Sequence, residues 1–189
     1  LFSNTSLIYN DYSYTVKLLS DVTNFKATSL VRDFNLKQDF QYFNNKHILR
    51  FGLNATHHRI SPIAITSSGS SQVNDLIQEK RYGLESALYL SDEWNVNEKL
   101  NFLYGLRFSA FSLLGPGNFK NYDVNGNPIA NATIESGVFY KNYFNLEPRF
   151  SVSYLFDEQN SIKASYNRNT QNIHILTNAT SSSPTDQYV

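Results

Sequence analysis

No cysteine occurs anywhere in the chain. Disulfides, thiolate metal sites and cysteine nucleophiles are excluded with it, although many compartments accommodate such a composition. Methionine is missing too, and residue 1 is Leu. With no leader-like segment either, the expectation is a piece of a longer protein rather than a natural start. Charge of one sign is not in excess, since 16 Lys and Arg face 16 Asp and Glu. That balance steers the chain toward neither nucleic acid nor acidic polymers, and no nucleic-acid partner is expected. Long hydrophobic runs are also absent. The mean hydropathy is −0.40, and no stretch reaches the roughly 20 apolar residues that a membrane helix requires.

Aromatic residues, by contrast, are abundant, with 13 Tyr, 14 Phe and 1 Trp, and they fall in alternating patterns. In LNFLYGLRFSAF (100–111), Leu100, Phe102, Tyr104, Leu106 and Phe108 alternate with Asn101, Gly105, Arg107 and Ser109. Residues 30–43 set Phe34, Leu36, Phe40 and Tyr42 against Asp33, Asn35, Lys37, Asp39 and Gln41, with Gln38 a polar intruder on the apolar side. Residues 47–60 set Leu49, Phe51, Leu53 and Ala55 against Arg50, Gly52, Asn54 and Thr56. Residues 81–94 set Tyr82, Leu84, Leu88 and Leu90 against Arg81, Glu85, Ser91 and Glu93. Residues 143–156 set Phe144, Leu146, Phe150, Val152, Tyr154 and Phe156 against Asn145, Glu147, Arg149, Ser151 and Ser153. Ile162, Ala164 and Tyr166 oppose Lys163, Ser165 and Asn167 in 161–169. A period of two is the signature of strands, and helical three-and-four spacing is not sustained. Residues 1–16 are strand-like with poorly separated faces, and a further strand is expected near Gln187.

The connections alternate in length. Short polar turns fall at NNK (44–46), NVNEK (95–99) and DEQN (157–160), and long Ser/Asn/Gly-rich loops at 61–80, 115–142 and 170–186. In a meander, successive connections lie at opposite ends of the sheet. Tight turns at one end and large loops at the other are the asymmetry of outer-membrane barrels. A strand of about 13 residues tilted near 45° spans roughly 30 Å, a bilayer core, whereas strands of soluble sheets average about 5–6 residues. The expected fold is all-β: an antiparallel meander of seven to eight long strands, part of a transmembrane barrel.

On that reading, the lipid-facing set is Phe34, Leu36, Phe40, Leu49, Phe51, Leu53, Leu84, Leu88, Leu90, Phe102, Leu106, Phe108, Phe144, Leu146, Phe150 and Val152. Tyr42, Tyr82 and Trp94 form an interfacial girdle. Arg50, Arg81, Glu85, Arg107, Glu147, Arg149 and Lys163 face the lumen, where alternation of sign between strands favours cross-strand pairing. Pro148 lacks a ladder donor and implies a bulge, a kink or an edge.

Three stretches carry a family resemblance: LNFLYGLRFSAF (100–111), NLEPRFSVSYLF (145–156) and SIKASYNRNTQNIHILTNATSSSPTDQYV (161–189). Their order and spacing resemble the barrel of TonB-dependent outer-membrane receptors, most closely the Bacteroidetes type with a carboxypeptidase-regulatory-like N-terminal domain. YNDY (9–12) and FNLKQDF (34–40) fit the preceding strands. The resemblance implies a barrel of about 22 strands around an internal plug, importing a scarce nutrient such as a metal chelate, oligosaccharide or peptide. It implies energy from TonB through a plug region that this sequence lacks, contact with outer-membrane lipid, and a possible surface lipoprotein partner. Residues 1–189 would then be part of the barrel wall, in the bacterial outer membrane. Two rivals share the strand pattern, a passive porin-type barrel and a soluble β-sandwich or lectin-like module.

Chemistry-bearing motifs are sparse. His57 and His58 are adjacent and so point to opposite faces of a strand, while His47 and His174 lie apart, and no metal site is expected. Asp92 and Glu93 also face opposite ways, beside a turn that holds Glu98. No nucleophile triad or phosphate loop is visible, so neither an enzyme nor a cofactor is expected. Sequons at Asn4, Asn54, Asn131 and Asn178 have no meaning in a bacterial barrel. Ligand selection is expected in loops 61–80 and 115–142, where GPGNF and NGNP mark turns, with the contacting residues unknown.

Overall fold

A computed structural model describes residues 1–19, 24–68, 74–176 and 187–188. The main sheet is an antiparallel meander that curves as a half-barrel. Its strands, in spatial order, are β1 (Phe2–Leu18), β2 (Phe25–Asn44), β3 (His47–Ser67), β5 (Arg81–Asn95), β6 (Leu100–Leu114), β9 (Phe139–Leu155) and β10 (Ser161–Asn167). The short β4 (Leu76–Ile77) adds to the end of β3. Two small ladders stand apart: β7 (Gly117–Tyr122) with β8 (Pro128–Ile134), and β11 (Ile175–Leu176) with β12 (Gln187–Tyr188). The strand expected near Gln187 thus pairs with β11 and does not widen the main sheet.

Asparagine and aspartate make the short turns. Asn45 adopts φ 42°, the left-handed conformation that Asn tolerates. Asn97 Oδ1 accepts from the backbone N–H groups of Lys99 and Leu100, both at 2.9 Å. Asp157 Oδ1 accepts from those of Gln159 and Asn160, also at 2.9 Å. These turns fix the register, and two rows of apolar residues then meet across the ladders. Phe40 faces Phe51, which faces Leu90, which faces Leu106. Further along, Leu53 faces Leu88, which faces Phe108, which faces Leu146. Gln38, the intruder, donates to Ser3 Oγ of the edge strand at 2.7 Å.

At the loop end, strands run further than alternation alone indicates. β3 continues through SPIAITS to Ser67, and β2 begins at Phe25, so much of the expected 61–80 loop is ladder. The register shifts between Thr28 and Leu30, opposite Pro62. A bulge accommodates the missing donor there and lets the hairpin continue past it. Within 115–142, β7 and β8 form a hairpin whose turn is held by Asp123, which accepts from the N–H groups of Asn125 and Asn127 at 2.8 Å. Residues 177–186 of the third expected loop lie outside the described residues.

Pro148 resolves as an edge. Its carbonyl accepts from Arg168 N–H at 3.1 Å, so its donorless nitrogen also points toward β10. The β9–β10 ladder stops one residue short, at Asn167 opposite Arg149. Toward β6 the register runs through Leu106–Pro148 unbroken.

Gly52 matters through close approach. The Tyr89 ring lies across it to reach the Asp39 carboxylate two strands away, and a β-carbon would collide with the Gln38 carbonyl and the Tyr89 hydroxyl. Replacing Gly52 with Val should destabilise the barrel by about 1–3 kcal/mol, the scale of an overpacked site. The measurement is the denaturant midpoint of heat-modifiable gel mobility. An unchanged midpoint would mean that Tyr89 does not need the glycine.

Candidate functional site

The polar face holds a connected network. His58 Nδ1 lies 2.8 Å from Asp33 and its Nε2 lies 3.6 Å from Glu85, spanning β2, β3 and β5. Asn172, from the segment after β10, reaches the same wall. It donates to Glu85 at 3.4 Å and accepts from Asn145 at 3.1 Å. Ser109 donates to Glu147 at 2.6 Å, and the Arg107 guanidinium is 3.9 Å from the same carboxylate. Arg50 pairs with Glu93 at 3.0 Å. Among the described residues, no carboxylate lies within ion-pair distance of Arg149 or Lys163. The expected cross-strand neutralisation therefore covers Arg50, Glu85, Arg107 and Glu147, while Arg81 pairs along its own chain with Glu79 at 3.1 Å.

Buried apolar side chains collect at the loop end of the strands: Ala27 in β2, Ile60 and Ile63 in β3, Phe111 and Leu114 in β6. Above them the β7–β8 hairpin folds inward. Phe119 stacks on Tyr140 with ring centroids 4.5 Å apart, and the Arg81 guanidinium sits 5.0 Å over the Phe119 ring. Glu79 clips the hairpin down, accepting from Asn118 N–H at 2.9 Å and from its side-chain amide at 2.6 Å. Beneath lies a cavity of about 280 Å³, lined by His58, Ile60, Arg81, Phe111, Phe119 and Ile173 among others. Its walls are mostly apolar with two basic groups at hand, the make-up of a small-ligand pocket.

The opposite face is apolar and bare. Leu88 is 61% exposed and Phe144 64%, while on the polar face Ser109 is 2% and Glu147 5% exposed. A soluble sheet has the reverse order. The apolar band also has edges. At the short-turn end, Asp92 accepts from Tyr104 O–H and is joined to His47 Nδ1, both at 2.7 Å, and Trp94 stacks on His47 at 5.7 Å. At the loop end, Arg32 pairs with Asp11 at 2.8 Å, with Arg59 in register beside Arg32 and Tyr82 beside Arg59. Between these polar rows lie roughly ten to twelve residues of strand, about 23–28 Å at a 45° tilt, which is the height of an outer-membrane barrel's apolar band.

A family model for an outer membrane beta barrel domain matches residues 64–188, more than half of the chain. The chain belongs to that family. No curated protein and no solved structure matches it. The barrel domain is therefore a protein of the bacterial outer membrane, as expected, and the rival soluble β-sandwich is set aside. A sandwich needs a second sheet over the apolar face, and among the described residues none covers it.

In this barrel domain the sixteen apolar positions and the girdle residues Tyr42, Tyr82 and Trp94 share one face by register. Arg50, Arg81, Glu85, Arg107, Glu147, Arg149 and Lys163 share the other. His57 and His58 diverge, His57 tilting against Tyr82 on the apolar face. Sequence reasoning missed the polar rows on the apolar side, Asp92 with His47 and Tyr104, and Asp11 with Arg32 and Arg59. The readable signal was the distance between charges that keep the apolar parity within one strand.

The Asn118 backbone and side-chain amides, then Arg81, hold the Glu79 carboxyl below its usual range. A depressed carboxylate contributes stability fully above its ordinary pKa and loses it as pH falls through the lowered value. Hydrogen-exchange protection of residues 117–122, corrected for intrinsic rate, should stay constant from about pH 7 to about pH 5 and fall only in stronger acid. In Glu79→Gln it should be reduced throughout. Equal protection in the two proteins would remove Glu79 as the clip.

Proposed function

We propose that this domain is part of the wall of a TonB-dependent receptor that takes up a scarce nutrient across the outer membrane. The apolar face touches lipid and the polar face lines the lumen. The observation that carries the reading is a polar wall on which Arg50, Glu85, Arg107 and Glu147 find partners, beside a hairpin whose Phe119 covers an apolar pocket at the loop end. Charge-selective pores line the channel with rings of charged side chains. Here selection falls to the mouth, where the pocket under Phe119 combines apolar walls with Arg81 and His58. The order of the YGLR, EPR and SYNR strands supports the same family. On this reading the plug and the TonB contact lie elsewhere in the receptor, a surface lipoprotein is a natural partner at the loop end, and the domain itself performs no covalent chemistry.

Conductance separates the receptor from a passive barrel. In planar bilayers the full-length protein should be electrically closed and should open only when urea unfolds its plug. A steady conductance without denaturant would make it a pore. Solvent access tests the two faces independently. Cysteines placed singly at Leu88 and Phe108 in outer membranes should react only with a lipid-phase thiol probe, and those at Glu85 and Arg107 with a membrane-impermeant one. Shielding of Leu88 and Phe108 from both probes would refute the lipid-facing assignment.

A further inference from the structure

We infer that the cavity beneath the β7–β8 hairpin binds a small aromatic carboxylate, an apolar body of about two rings with one acid group. The inference rests on the reading that selection falls to the mouth, and it names the chemistry selected there.

The cavity measures about 280 Å³, nearly twice the roughly 150 Å³ that takes up benzene in a protein interior. Five apolar side chains line it: Ile60, Phe111, Leu113, Phe119 and Ile173. Tyr82 and Gly83 of β5 complete the wall. The Phe111 ring lies over Gly83, where a β-carbon would come within 3.0 Å of it. Phe119 supplies a second ring from the hairpin, fixed by its stack on Tyr140. Two rings in an apolar lining favour an aromatic guest beyond the area it buries. A sugar's hydroxyls would find almost no partners on these walls.

The charge of the guest follows from the two remaining lining residues, His58 and Arg81. His58 has both nitrogens turned to carboxylates, Nδ1 to Asp33 at 2.8 Å and Nε2 toward Glu85 at 3.6 Å. It offers the cavity ring surface, not charge. Arg81 is differently placed. Its side chain is 40% exposed, and Glu79, at 3.1 Å from its Nη1, is the carboxylate that pairs with it. The same Glu79 carboxylate also accepts from the Asn118 backbone at 2.9 Å and from its side-chain amide at 2.6 Å. Among the described residues, the other guanidinium nitrogens of Arg81 have no partner. The Phe119 ring holds that guanidinium at 5.0 Å. A guanidinium presents a planar fork of N–H donors that fits the two oxygens of a carboxylate. An aromatic amine would meet the Arg81 charge unfavourably.

Titration calorimetry of the full-length protein in mild detergent, with protein-free micelles as blanks, tests the site. The probes are 2-naphthoate, the neutral 2-naphthylmethanol, 2-naphthylmethylamine and maltose. Wild type should bind naphthoate about tenfold more tightly than naphthylmethanol, the scale of one charge-assisted hydrogen bond, and should bind neither the amine nor maltose. Arg81→Gln should bring naphthoate down to the level of naphthylmethanol. Ile173→Trp, which fills the cavity from a segment outside the main sheet, should abolish binding of both. Arg149→Gln, an exposed cation on the polar face away from this cavity, should behave as wild type. Equal affinity for naphthoate and naphthylmethanol, no binding of either, binding of maltose as tight as naphthoate, or an Arg81→Gln protein as selective as wild type would overturn the proposal. The wild-type comparison stands even if a variant fails to fold. If the protein conducts without denaturant yet prefers naphthoate through Arg81, the receptor reading fails and the site stands. If it is electrically closed and shows no such preference, the site alone is refuted.

Discussion

Backbone N–H and C=O groups find no partner in hydrocarbon, and the rest of this wall depends on that fact. An uninterrupted antiparallel ladder is the response, with β2, β3, β5 and β6 each paired along most of its length on both sides. Once the ladder is fixed, the side chains have two faces to occupy and two solvents to match. Each Leu or Phe left facing water forgoes about 1.5–3 kcal/mol. On the proposed lipid-facing reading, the open face carrying Leu88, Phe108 and Phe144 is matched to its solvent.

The polar face follows from the same ladder. Its groups cannot all reach bulk water, because the curved sheet and the segment 168–174 cover them. They are satisfied within the wall, as Glu147 is by Ser109 and Arg107. Aromatic rings fill the glycine gaps on this side, Tyr89 over Gly52 and Phe111 over Gly83. The Glu79 clip and the Phe119–Tyr140 stack then set the shape of the mouth.

Parity was the legible part of the sequence. Two solvents impose a period of two, and that period located β2, β3, β5, β6 and β9 and sorted their residues by face, while the faces of β1 stayed poorly separated. Strand ends were less legible, because above the bilayer the lipid no longer enforces alternation. SPIAITS reads as the start of a loop, since Pro62 normally ends a strand, yet the bulge opposite it carries β3 onward to Ser67. The NGNP turn was visible, but the hairpin it closes needed the pairing of β7 with β8. Alternation of sign foretold cross-strand pairs such as Arg107 with Glu147, but not the networks they join. His58 meets Asp33 and Glu85 only once the registers of two ladders are known, and Asn172 joins them from over a hundred residues beyond His58.

Pro148 sets the height of the wall on one side. An antiparallel pair zips residue by residue, and a proline whose nitrogen points across the seam is a tooth without a hook. β10 closes against β9 as far as Arg149 and then leaves it. The chain after Asn167 is thereby released from the rim, and it brings Asn172 down onto Glu85 and Asn145. A single missing hydrogen in the wall thus notches the rim and delivers a strap across the inside of the barrel.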